Sequence, residues 1–133
     1  MHLWNETSGE VHELCAVEDG TTDSYVSSVS WVQESGVHLA IGTSAGTTQL
    51  WDVQACKQLR SMVGHSDRVG SLNWNRQTSP TSGRDTIFVN HDVRIARYKV
   101  ATLTSHSQEA CGLAWSPDGT TLASGGNDDK LCL

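Results

Sequence analysis

No two of the four cysteines, Cys15, Cys56, Cys111 and Cys132, are close enough to make a Cys-x-x-Cys pair. That scatter excludes the ligand pairs of a structural metal site and offers no disulfide framework. Reduced, partly buried thiols are expected instead. The chain also lacks an apolar run long enough to span a bilayer, and a charged-then-apolar leader. Strand-like residues follow Met1 at once, so no targeting segment is expected ahead of the fold. Without secretion the Asn5-Glu6-Thr7 sequon carries no meaning. The implied compartment is reducing, the cytoplasm and nucleus. Basic charge is scarce as well: nine Lys and Arg against 15 Asp and Glu give a formal net charge of −6. A nucleic-acid surface needs a concentrated basic face, so that class is excluded. Neither nucleic acid nor membrane is an expected partner, and neither a cofactor nor a metal ion is expected.

What is present is a globular composition, 37% hydrophobic and 18% charged over 133 residues, and a repeat. GHSDRVGSLNW (Gly64 to Trp74) returns as SHSQEACGLAW (Ser105 to Trp115), with both the histidines and the tryptophans 41 residues apart. An earlier copy, SYVSSVSW, ends at Trp31. LWD (Leu50 to Asp52) is echoed by NHD (Asn90 to Asp92), and LWN (Leu3 to Asn5) reads as the tail of a further copy. Within each unit apolar residues alternate with small or polar ones, as in Val29 and Trp31, Leu72 and Trp74, and Leu113 and Trp115. Turn formers such as Ser116-Pro117-Asp118-Gly119 separate the runs, and no stretch carries a helical stripe.

A unit of four short strands with Gly-His near one end and Trp-Asp near the other is the WD-repeat pattern. The expected fold is an all-β WD-repeat β-propeller, present in part: the tail of a blade at 1–20, units at 21–63 and 64–104, and a shortened unit at 105–133. Closed propellers use roughly four to eight blades. The similar stretches LAIGTSAGTTQLWD (Leu39 to Asp52) and LASGGNDDKL (Leu122 to Leu131) align so that Leu133 falls on Leu50. The chain is therefore expected to be a piece of a larger propeller, or a shortened product.

A polar network should lock each blade, since buried polar groups must be paired. In the last unit His106 is expected to bond Ser124 and Asp128, and His65 and Asp85 are the corresponding pair before it. The unit ending at Trp51 has Ala45 in the aspartate position and Thr22 in the histidine position, so its network is expected to be absent. RQTSPTSGRD (Arg76 to Asp85) offers no apolar residue where a blade strand belongs, and Pro80 argues for an edge or a loop.

HLWN, SSVSW, LAIGTS, QLWDV, GHSDRVGSLNWN, HDVR, HSQEACGL and LASGGNDDKL, in that order, resemble the Fizzy family of activators of the anaphase-promoting complex. HDVR followed by ATL and HSQE is closer to the mitotic Fizzy branch than to Fizzy-related. The resemblance implies a seven-bladed propeller that loads substrates onto a ubiquitin ligase by gripping KEN-box and destruction-box peptides. Its expected partners are the ligase's subunits and KEN-box-containing substrates or checkpoint proteins. The family's GGND asparagine, which helps hold the KEN peptide, is Asn127 here. An amide both donates and accepts, which suits a Lys-Glu-Asn peptide. Asp129 stands where the family commonly has a second asparagine, and it could attract the peptide's lysine and repel its glutamate. The family's destruction-box groove, amino-terminal box and terminal Ile-Arg dipeptide have no counterpart in these residues. As a complete protein the chain would therefore be expected to activate the ligase poorly.

Weighed on the residues alone, Asp128 reads as a turn-locking aspartate, and Gln108 and Glu109 as solvated loop residues. Ser79-Pro80 and Ser116-Pro117 fit proline-directed phosphorylation, although the second is explained by its turn. His65-Ser66-Asp67 are sequence neighbours and cannot converge as a nucleophile–base–orienter chain. GTSAGTT (Gly42 to Thr48) lacks the Gly-Lys-Ser/Thr ending of a phosphate loop. The expected class is a binding protein rather than an enzyme. The alternatives are a generic WD-repeat interaction scaffold or a truncated, inactive product.

Overall fold

The computed structural model describes residues 1–14, 24–33, 35–76, 78–92 and 99–133. Over these the chain forms thirteen strands and no helix. Strands β1 (His2–Trp4) and β2 (Val11–Glu13) make a two-stranded sheet. The second sheet is a four-stranded meander of β3 (Val26–Trp31), β4 (His38–Thr43), β5 (Thr47–Asp52) and β6 (Lys57–Val63). β7 (Val69–Leu72), β8 (Thr78–Gly83), β9 (Ile87–Asp92) and β10 (Lys99–Thr104) form the third in the same way. β11 (Ala110–Trp115), β12 (Leu122–Gly126) and β13 (Leu131–Cys132) form the last.

The side-chain period of two decides how the sheets stack. In β4, Leu39 and Ile41 join Leu14 in one cluster, with Met1, Leu3 and Trp51 packed against it. Ala40, on the opposite face, joins Leu72 and Trp74 of the third sheet's segment. A strand buried on both faces must be small where its neighbour comes close. A Cβ on Gly42 would lie 2.7 Å from the Val69 side chain, so no larger residue fits. Polar bonds tie the sheets where apolar contact thins. Ser27 Oγ donates to Val69 O at 2.7 Å, Ser82 Oγ to Ala110 O at 2.9 Å, and Asn73 Nδ2 to Leu113 O at 3.0 Å.

The expectation of an edge strand or loop at Arg76–Asp85 is corrected. β8 is an inner strand, paired with β7 on one side and β9 on the other, and Ser79, Pro80, Thr81 and Ser82 are fully buried. Pro80's carbonyl accepts from the Asn73 N–H at 3.2 Å. In an antiparallel strand a residue's N–H and C=O point the same way, so the missing donor falls beyond Leu72, where β7 has ended. The proline thus forfeits one rung at the ladder's margin. Small residues replace bulky ones because the flanking sheets approach closely. Ser79 is inaccessible in the folded chain, which removes it as a phosphorylation site.

Candidate functional site

Each of the three longer sheets begins alike. The first strand carries a register shift between Val26 and Ser28, between Val69 and Ser71, and between Ala110 and Gly112. These bulges lie at equivalent repeat positions, and the extra residues are Ser27, Gly70 and Cys111. A bulge re-aims its side chain out of the pleat. With Val26 and the residues immediately before each strand, Tyr25, Arg68 and Glu109, they line a cavity of about 340 Å³ across the three sheets.

Glu109 is not the solvated loop residue expected from its position. Its carboxylate accepts from Arg68 Nε and Nη2, both at 2.9 Å, and its side chain is only 14% exposed against 43% for Arg68. The Glu109 bond, followed by one to the Tyr25 side chain, raises the Arg68 guanidinium further above its ordinary value and keeps it charged. A bidentate fork of this kind fixes geometry as well as charge. Gln108 is exposed.

Asn127 lies beside this cavity, exposed on the turn between β12 and β13. Its N–H donates to the Glu109 carbonyl at 2.9 Å, and the Cys111 thiol donates to its Oδ1 at 3.1 Å. Asp129 is exposed two residues on, with φ of 60°. Gly46 and Thr86, with φ of 81° and 69°, occupy the same turn of the two preceding sheets. Position 129 is thus a left-handed corner, a conformation that Asp and Asn tolerate better than most residues.

Beneath the turns lie two polar networks. His106 Nδ1 donates to Asp128 Oδ1 at 2.8 Å, its Nε2 bonds Ser124 Oγ at 3.1 Å, and the Ser107 N–H donates to Asp128 Oδ2 at 2.9 Å. The His106 bond, then that from Ser107, holds the Asp128 carboxyl well below the usual carboxylate range. His65 Nδ1 likewise donates to Asp85 Oδ1 at 2.9 Å, and its Nε2 bonds Thr81 Oγ1 at 2.8 Å. Both rings need room. A Cβ on Gly83 would come within 2.6 Å of His65 Nδ1, and one on Gly126 within 2.5 Å of His106 Nδ1. In the second sheet Ala45 is exposed and Trp51 Nε1 donates to Gln49 Oε1, while Thr22 lies outside the described residues.

His65 therefore turns to Asp85 and Thr81, not to Ser66 and Asp67. Among the described residues no three His, Cys, Asp or Glu side chains group as a metal site. Cys56 and Cys111 are exposed rather than partly buried, and Cys132 is intermediate; Cys15 lies outside the described residues. Thr81, Arg68 and Cys111 were not singled out from the sequence. Their signal was the repeat itself: Tyr25, Arg68 and Glu109 share one repeat position, and Thr81 aligns with Ser124.

The family model for the WD domain, G-beta repeat, matches residues 97–133, and that for the anaphase-promoting complex subunit 4 WD40 domain matches residues 5–77. The chain is 47% identical over 131 residues to the anaphase-promoting complex subunit cdc20 of Dictyostelium discoideum, covering 98% of this chain and 26% of that protein. It is also 47% identical over 131 residues to Protein FIZZY-RELATED 1 of Arabidopsis thaliana, covering 98% and 27%. A chain in the crystal structure of a mitotic checkpoint complex superposes with a TM-score of 0.90 at 42% identity, covering 98% of this chain and 39% of that one. The chain thus spans about a quarter of the length of these curated relatives.

Proposed function

Because the chain belongs to the family described as the anaphase-promoting complex subunit 4 WD40 domain, we propose that it supplies a peptide-recognising face to an activator of the anaphase-promoting complex. Its part is to bind degron peptides of cell-cycle proteins so that the ubiquitin ligase can act on them. The relatives named for that complex support the role, and the match to a mitotic checkpoint complex chain supports a checkpoint-protein partner. The observation that carries the reading is the exposed Asn127 turn beside the cavity of Tyr25, Arg68, Glu109 and Cys111. An amide, a guanidinium and a carboxylate on one rim suit short polar peptides better than an apolar ligand. HDVR, ATL and HSQE support the mitotic branch, and such a role would be exercised in the cytoplasm and nucleus.

The test is titration of the chain with a fluorescent peptide containing Lys-Glu-Asn. Binding at micromolar concentrations that weakens about tenfold or more in Asn127→Ala is the expected result, the scale of a lost hydrogen bond to a charged group. A generic scaffold, the second reading, would leave the peptide unbound or bind it equally in both proteins.

A further inference from the structure

The amide of Asn127 is held in one sense. Its Oδ1 takes the Cys111 thiol at 3.1 Å, shorter than the thiol's 3.5 Å contact to the Glu109 carbonyl. A thiol has a single hydrogen to give, and an amide oxygen can only accept, so Nδ2 and its two hydrogens are left to face a ligand. The backbone beneath is fixed too, because the Asn127 N–H donates to the Glu109 carbonyl. Glu109 in turn cannot swing, since Arg68 in the neighbouring sheet clamps its carboxylate with two bonds of 2.9 Å. Among the described residues Arg68 is also the sole cation lining the cavity, and it is the more exposed member of its pair.

We propose that Cys111 and the Arg68–Glu109 pair lock Asn127 as an outward hydrogen-bond donor, so that the peptide group it reads is an acceptor, an acidic side chain drawn toward Arg68. The proposal rests on the reading of this face as peptide-binding. Cys111 and Glu109 are positioning residues: they act through Asn127. Arg68 both positions Asn127 and supplies the charge that favours an anion.

The experiment titrates the Lys-Glu-Asn peptide and its Lys-Gln-Asn counterpart against wild type, N127A, N127D, R68M and the R68M/N127A double variant. If an acidic group faces Asn127, N127D binds the glutamate peptide about tenfold more weakly than N127A does, because a carboxylate meets a carboxylate. It then prefers the glutamine peptide, whereas wild type prefers glutamate. R68M weakens binding about three- to tenfold, and adds less in the N127A background than alone, as coupled residues do. N127D binding as tightly as wild type, or tighter, while N127A binds more weakly, overturns the proposal, since a donor would then face position 127.

Should N127A and N127D both leave affinity unchanged, the peptide does not touch Asn127 and the functional reading itself fails. The lock is then judged in the free protein by the Asn127 side-chain amide resonances. They are expected to shift in R68M and in C111A while the thermal midpoint holds, and unshifted resonances overturn it. The milder R68K, which keeps the charge but loses the fork, should fall between wild type and R68M.

Discussion

At the scale of single residues, the networks under the turns show why histidine recurs in these units. Each ring spans from a turn aspartate to a strand hydroxyl, satisfying three buried groups at once, and a neighbouring glycine leaves it space. Ser124→Ala strands a ring nitrogen in a buried site, and a loss of about 1–3 kcal/mol is expected in urea unfolding. Asp128 gives a pH signature. Its carboxyl titrates below its unfolded value of about 3.9, so the folded chain binds fewer protons than the unfolded one. The stability it contributes is complete above that value and is lost as the pH falls toward the folded-state value. Unfolding midpoints measured between pH 6 and pH 3 should therefore decline less steeply in Asp128→Asn than in wild type.

At the scale of elements, three first strands with the same bulge and three hairpin turns with the same left-handed corner make one design repeated. Side-chain burial, in contrast, differs between the copies. Trp74 is 1% exposed, whereas the equivalent Trp31 is 49% exposed. Trp74→Ala should cost about 3–5 kcal/mol by chemical denaturation, the range for a fully buried aromatic, and Trp31→Ala clearly less. The alternation of Val29 and Trp31 or Leu72 and Trp74 made such strands legible in the sequence. β8 was not legible. Hydrophobic pattern finds strands that pack with bulk, and Thr78–Gly83 is held by close approach and hydroxyl bonds instead.

At the scale of the molecule, large apolar side chains are left on the surface of the first and last sheets. Trp4 is 79% exposed, Leu131 74% and Leu133 87%. Exposed apolar residues beside a strand edge favour association. The 133-residue chain is expected to self-associate with rising concentration in sedimentation experiments, and L131K/L133K to shift it toward monomer. The proposed peptide face depends on assembly at this scale too: Arg68 and Glu109 immediately precede the first strands of different sheets, and their pairing exists only once those sheets stack.

Periodicity alone specified an all-β chain of stacked four-stranded units, because alternation and turn residues act locally and each repeat states them again. It also marked His106, Ser124, Asp128, His65 and Asp85, because a histidine ahead of the strands and an aspartate in the turn occur in both of the last two units, 22 and 20 residues apart. Three-dimensional packing was needed to put Cys111 against Asn127, to clamp Glu109 with Arg68, and to make an inner strand of Pro80's segment. Those outcomes depend on distances between sheets, which the order of residues along one strand does not contain.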